Sequence, residues 1–291
     1  MTWLLDCDGV IWLADQPIDK AAEAVARLRA AGERVVFLTN NSWPRRADHV
    51  AKLEAMGIPA GLDDVVSSSM AAARLVEPRE RVLLLGGPGL AEELRLRGAE
   101  VVEPGEGEPG AVSKVVVGMD LAFDFSRLAA ATTALRAGGV TLVATNEDAT
   151  FPTAHGLLPG AGSVVAAVAT AGGATPVVAG KPHVPVAALV RELVGTVTVM
   201  VGDRPSTDGR FARALGVPFG LVLTGVTPKD HGRLDPPADV EAADLSSLVE
   251  TVLADPGSLD RAERPASAGS RQTRPAVQSD LWHRETPSSA T

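Results

Sequence analysis

The sequence predicts an α/β protein built on a doubly wound, mostly parallel sheet. Three observations carry that prediction. Short branched-apolar runs alternate with segments of helical spacing, several runs close on acidic or polar residues, and Gly or Pro punctuates the joints. Strands separated by helices pair in parallel, and the helices then cover both faces of the sheet.

The elements follow in order. Trp3 to Cys7 is a short apolar run that ends in acid. Ile18 to Ala31 has helical spacing, with Ala21, Ala24, Val25 and Leu28 on one face and Gly32 placed to stop the helix. Arg34 to Thr39 is a β-rich run that ends in Asn40-Asn41-Ser42. Pro44 suits the first position of a helix whose buried face is Val50, Leu53 and Met56. Val65-Val66 and the Ala-rich stretch from Ser69 to Val76 continue the pattern.

A second set begins at Arg81. Strands are expected at Arg81 to Leu85, Lys114 to Val117 and Val140 to Ala144, and helices at Gly89 to Arg97 and Ser126 to Ala137. The stretch from Glu103 to Gly110 is a polar, Gly/Pro-rich loop. Pro159-Gly160-Ala161-Gly162 opens an Ala/Val-rich helix that runs to Ala171. Val177-Val178 leads into Gly180-Lys181-Pro182, followed by a helix from Val186 to Val194. Val197 to Val201 is a strand that ends in Gly202-Asp203, followed by a helix from Thr207 to Leu215 and a strand from Val217 to Leu223. Residues 256–291 are rich in Ser, Arg, Pro and Ala and are expected to form a disordered tail.

Bulk composition narrows the function classes. The chain has 291 residues, 45% of them hydrophobic, enough for one or two domains. A net charge of −9 argues against a nucleic-acid partner, which calls for a basic patch. Aromatic residues make up only 3%, a poor platform for stacking bases. No run approaches the roughly 18 apolar residues of a membrane span, and acid follows too soon after Met1 for a signal peptide. Cys7 is the one cysteine, so no intrachain disulfide can form, and a cytoplasmic location is expected.

The chemistry-bearing residues sit at the carboxyl ends of expected strands, where open α/β sheets bind ligands. Asp6 and Asp8, one residue apart, point to the same side if the chain is extended there. Like charges that close need a cation between them or a shared proton. An ordinary Asp-Gly turn would also explain the pair. The turn from Thr39 to Ser42 offers hydroxyls and N–H groups to an anion, although Ser42 could simply cap the next helix. Lys181 in its Gly/Pro-bounded loop can meet a phosphate or remain a solvated surface group. Asp203 and Asp208 offer hard oxygen ligands suited to Mg²⁺, although the segment could equally be a helix cap.

Taken in order, these four signals resemble the four motifs of the haloacid-dehalogenase superfamily. DCDGVIW, LTNNS, ATNEDATFP, GLLPGAG, GKP, VGDRPSTD and LVLTGVT narrow the likeness to the class IIA subgroup of NagD-type, 4-nitrophenyl-, phosphoglycolate and glycerol-phosphate phosphatases. The resemblance runs from Leu4 to about Val226. It implies a Rossmann-like core over 1–72 and 159–255 and an inserted α/β cap over 73–158. It also implies Mg²⁺-dependent hydrolysis of a small phosphorylated metabolite through an aspartyl-phosphate. Asp6 would be the nucleophile. Asp8 would protonate the leaving oxygen and then activate water, with a pKa raised for that task. Thr39, Asn40 and Asn41 would hold the phosphoryl group, and Lys181 would neutralise it. Asp6, the main-chain carbonyl of Asp8, and Asp203 would ligate Mg²⁺, with Asp208 supporting the ion through water. Asn146, Asp148 and the loop to His155 would lie near the cap–core junction as candidate substrate contacts. A homodimer through the cap is compatible with such proteins.

Two places depart from the subgroup: the segment from Trp12 to Lys20 lacks the usual glycines, and Gly209 replaces a branched apolar residue. Both concern the entrance rather than the chemistry. A phosphotransferase or phosphomutase would share Asp6 and the metal. A non-catalytic binding protein on the same fold is the further alternative. A haloacid dehalogenase would lack Asp8, and a receiver-type signalling domain would be far shorter.

Overall fold

The computed structural model describes residues 2–104, 111–153 and 156–260. His155, most of the expected 103–110 loop and the expected tail from 261 onward lie outside the described residues.

In chain order, β1 is Thr2–Leu5, β2 Trp12–Leu13, β3 Gln16–Pro17, α1 Ala21–Ala30, β4 Arg34–Thr39, α2 Arg46–Ala55, β5 Val65–Ser67 and α3 Ser68–Ala73. There follow β6 Arg81–Leu85, α4 Pro88–Leu96, β7 Glu100–Val102, β8 Lys114–Val117, α5 Phe125–Arg136, β9 Thr141–Ala144, β10 Thr150–Thr153 and β11 Gly156–Pro159. The last set is α6 Ala161–Gly172, β12 Val177–Val178, α7 Val184–Leu193, β13 Val199–Gly202, α8 Arg210–Leu215, β14 Phe219–Val222, β15 Val240–Ala242 and α9 Leu245–Ala254.

Two parallel sheets organise these elements. The first has the order β15-β14-β13-β1-β4-β5, and the second β12-β9-β8-β6-β7. The hairpins β2–β3 and β10–β11 stand apart from both. The expected parallel α/β architecture is present.

Side-chain alternation explains why both faces of each sheet are covered. Leu4, Val36 and Leu38 face one apolar cluster, which also takes in α3, α4, α7 and α8 and reaches Val82, Leu84 and Val116 of the second sheet. Their strand neighbours Trp3, Leu5, Val35 and Phe37 face the opposite cluster with α1 and α9. Leu83, Leu85, Val115 and Val117 face the third with α5 and α6. A period of two places successive residues on opposite faces, so strands buried on both sides read as unbroken apolar runs.

Several local expectations shift. Helix α2 starts at Arg46, not at Pro44, because the Asp48 carboxylate accepts the Arg45 N–H at 2.8 Å and sets the cap there. Ser42 caps no helix; its hydroxyl oxygen accepts Met119 N–H at 3.0 Å and Thr145 O–H at 3.1 Å. The second sheet draws in β12, and α6 packs on α5, β8 and β9, so chain beyond 158 joins it. Within the expected tail, 256–260 form a helical turn, and Leu259 is buried.

Candidate active site

The site forms where the first sheet changes direction. Chain order reverses around β1, which lies between β13 and β4. Such a switch point leaves a crevice beyond the strands' carboxyl ends. Asp6 follows β1, Asn40 follows β4 and Asp203 follows β13, so three ladder ends meet there. The Asp6 N–H still bonds to Val201 C=O at 2.9 Å, which fixes where its side chain leaves the sheet.

Beyond Asp6 the chain turns instead of remaining extended. The N–H groups of Val10 and Ile11 both bond back to Cys7 C=O. Strand alternation therefore does not place Asp8, although both aspartates line the same cavity of about 230 Å³. Gly9 makes the turn possible: its φ is +83°, and a Cβ there would sit 2.6 Å from the Asp203 carboxylate. Cys7 faces the core, and burial, then Asp6 and Asp8, raise its thiol well above the ordinary range.

Lys181 is the hub, only 2% exposed. Its Nζ lies 2.7 Å from Asp6 Oδ1, 2.8 Å from Asp208 Oδ1 and 3.1 Å from Leu38 O. The ammonium donates to Leu38 O and forms ion pairs with the two carboxylates. Burial works against its charge, yet the carboxylates of Asp208 and Asp6 outweigh it and raise the Lys181 pKa. Asp208 is fully buried and also accepts the Arg204 N–H at 3.1 Å. Asp203 accepts the Val226 N–H at 2.5 Å.

Asp6, Asp203 and Asp208 each offer an oxygen within 4.8 Å of the others. Three buried carboxylates against one ammonium leave two negative charges uncompensated, which suits a divalent cation held by oxygen. The titration pattern has the same cause. Burial, then the Asp208 carboxylate, push Asp203 up to about 6. Burial raises Asp6 well above its usual range, with Lys181 opposing and Asp208 and Asp203 adding to the rise. The Asp8 carboxylate is not part of this cluster; its Oδ1 accepts the Trp12 Nε1–H at 2.9 Å. Burial raises Asp8, and the indole donor works against that rise.

The anion turn is well tied. Thr39 Oγ1 accepts Asn41 N–H at 3.0 Å, and Asn41 Oδ1 accepts Trp43 N–H at 3.1 Å. The Asn40 side chain bonds three ways: Nδ2 to Asp148 Oδ2 at 3.0 Å and to Lys181 O at 3.1 Å, and Oδ1 from Lys181 N–H at 2.9 Å. That side chain orders the site, and its own donors are already used. Asn146 Nδ2 donates to Asn40 O at 2.8 Å, and Asp148 Oδ1 accepts from Arg204 Nη1 at 3.3 Å. Asn146 and Asp148 thus line the cavity while bonded to its walls.

Sequence reasoning did not single out Arg204, Trp12, Met119, Leu121 or Phe151. Arg204 stands inside the VGDRPSTD stretch, and Met119 follows strand β8, so the strand-end rule would have reached both. Trp12 depends on a two-residue hairpin strand that has no periodicity to detect.

A crevice at a sheet switch point, closed by acidic residues around one buried lysine, defines a hydrolase of the haloacid dehalogenase type. The haloacid dehalogenase-like hydrolase family model matches residues 3–100, a second HAD-hydrolase-like model matches 178–248, and the chain belongs to this family. Its relatives include named phosphatases. It is 42% identical over 232 residues to D-glycerol 3-phosphate phosphatase of Mycobacterium tuberculosis, covering 77% of this chain and 63% of that protein. The chain therefore spans less than two thirds of that relative's length. It is 39% identical to mouse (Mus musculus) chronophin, covering 79% of this chain and 83% of that one. The crystal structure of the M. tuberculosis glycerol phosphate phosphatase with magnesium superposes with a TM-score of 0.76 at 36% identity, covering 85% of this chain and 75% of that one.

Proposed function

We propose that the protein hydrolyses a small phosphomonoester with Mg²⁺, through a phosphoryl group carried on Asp6. The observation that carries the reading is the set of Asp6, Asp203 and Asp208 closed around Lys181 at the ends of β1 and β13. Asp6, Asp203 and the Asp8 carbonyl would hold the ion, with Asp208 behind them. When bound, Mg²⁺ offsets the negative charge that otherwise keeps a carboxylate away from a phosphate.

The chain's own residues would do the rest. An Asp6 oxygen attacks phosphorus as the bond from phosphorus to the ester oxygen breaks. Asp8 gives its proton to that oxygen, and the alcohol leaves. Asp8, now a carboxylate, takes a proton from the water that attacks the aspartyl-phosphate, which releases phosphate and restores Asp6. Lys181 holds Asp6 in line, and the Thr39 hydroxyl with the Asn40-Asn41 turn steadies the phosphoryl oxygens.

A cavity of about 230 Å³ walled by Trp43, Met119, Leu121 and Phe151 suits a small ester. D-glycerol 3-phosphate, named for the mycobacterial relative, is the first candidate. We place the core at 1–72 with 159–255 and the cap at 73–158, and the packing of α6 and β12 favours moving the second boundary toward 178. A cytoplasmic setting goes with the single buried thiol of Cys7.

The test is phosphate release from p-nitrophenyl phosphate with Mg²⁺, with EDTA, and with Asp6→Asn. Release that needs Mg²⁺ and drops to background in the variant is expected. Well-folded protein inactive on this ester and on a panel of small phosphomonoesters would overturn the assignment.

A further inference from the structure

Asp8 lines the cavity but stands outside the acidic cluster, and what holds it is an indole. Trp12 is 2% exposed and fixed from several sides. Its C=O accepts Gly9 N–H at 2.6 Å, and its N–H reaches Cys7 C=O at 3.2 Å. It pairs with Pro17 across the β2–β3 hairpin. The Lys52 ammonium lies 4.6 Å from the ring centroid and is itself bonded to Ala14 C=O at 2.8 Å.

This geometry suits the task given to Asp8. A proton donor works only within hydrogen-bond reach and at the right angle to the leaving oxygen. An aspartate on a turn can rotate away from that angle. An indole N–H donates and cannot accept, so Trp12 can hold one Asp8 oxygen without taking its proton. The other oxygen is then left for the substrate. A second carboxylate or a histidine in that place could compete for the proton.

We propose that Trp12 is a positioning residue that sets the Asp8 carboxyl for protonation of poor leaving groups. The inference rests on the reading of Asp8 as the acid. In the step concerned, the bond from phosphorus to the ester oxygen breaks as the Asp6–phosphorus bond forms, and the departing oxygen takes the Asp8 proton. A nitrophenolate leaves well without a proton, whereas an alkoxide does not. Misplacing Asp8 therefore harms alkyl esters selectively. A buried indole that merely needs an acceptor would affect both esters alike.

The experiment compares kcat/KM for p-nitrophenyl phosphate and for an alkyl phosphate that the full chain hydrolyses, glycerol 3-phosphate first. Trp12→Phe keeps a ring and removes the donor, and Asp8→Asn runs beside it. In Trp12→Phe the alkyl ester is expected to lose about 10-fold or more, within the range that acid catalysis supplies, with the aryl ester changed by less than about 2-fold. Equal losses, or none, would overturn the role of Trp12 even where Asp8→Asn is selective. Full alkyl-ester activity in Asp8→Asn would instead sink the acid reading, and the inference with it. If Trp12→Phe does not fold, NMR of the Trp12 indole N–H in wild type and Asp8→Ala decides. A moved resonance with faster exchange is expected, and an unmoved one overturns the contact.

Discussion

Two residues carry stability consequences that activity alone would not reveal. Among the described residues, Lys181 is the one ammonium paired with Asp6 and Asp208, and all three groups are buried. Lys181→Met leaves both carboxylates without it, and breaking a buried pair costs about 3–5 kcal/mol. Urea unfolding in EDTA should show that loss, together with loss of phosphatase activity. His49, 3% exposed in α2, behaves differently. Burial pushes it down from 6.5 to about 4. Between those values the unfolded chain binds a proton that the folded chain refuses. The His49 contribution to stability is thus full above pH 6.5 and is lost as pH drops through the window to about 4, on the order of 3 kcal/mol. His49→Gln should remove that slope, read as the difference between wild-type and variant unfolding curves across the window. The two residues differ in legibility. Lys181 sits in a Gly-Lys-Pro loop after an apolar run, so its place could be read from the sequence. Its burial against Asp208 could not, because that pairing joins segments 27 residues apart across two strands.

At the scale of elements, the unbroken apolar runs were the most legible. Arg34 to Thr39, Arg81 to Leu85 and Lys114 to Val117 are strands with the expected ends. Each is apolar enough to be buried on both faces, so local pattern and tertiary position agree. The two-residue strands β2 and β3 and the short edge strand β15 carry too little pattern to declare themselves. Helix α9 lay beyond the expected alternation, although Leu245, Leu248, Val249 and Val252 have helical spacing and are all buried. Its start is fixed by Asp244, whose Oδ1 accepts Ser247 N–H at 2.7 Å. Asp244→Ala should cost about 1 kcal/mol, as losing such a cap usually does. Turnover should be unchanged, because α9 packs on the face formed by Trp3 and Leu5 and none of its residues lines the cavity. A fall in kcat at constant fold would contradict this separation.

Over the whole molecule, the two sheets meet in the shared apolar cluster, at the cavity through Asn40, Asn146, Asp148 and Arg204, and through contacts such as the Arg46–Glu93 ion pair. Asp148→Ala removes the carboxylate from both Asn40 and Arg204. It should raise KM more than it lowers the melting temperature, since the apolar cluster still holds the sheets. A large stability loss with unchanged KM would assign Asp148 to folding instead. The acidic cluster predicts a global effect of the ion. Mg²⁺ at about 100 times its Kd should add about 2.7 kcal/mol to unfolding, and Asp203→Asn should abolish most of that gain. The two sheets also divide the cavity between them. Asp6, Asp8, Asp203 and Asp208 follow strands of the first sheet, and Lys181 reaches in among them from the end of β12, whereas the wall of Met119, Leu121, Thr150 and Phe151 comes from strand ends and a hairpin on the second side. Mutational drift can therefore rework one wall of the cavity and leave the charged wall untouched. A lineage built this way can exchange one metabolite for another by small steps, none of which passes through a dead enzyme.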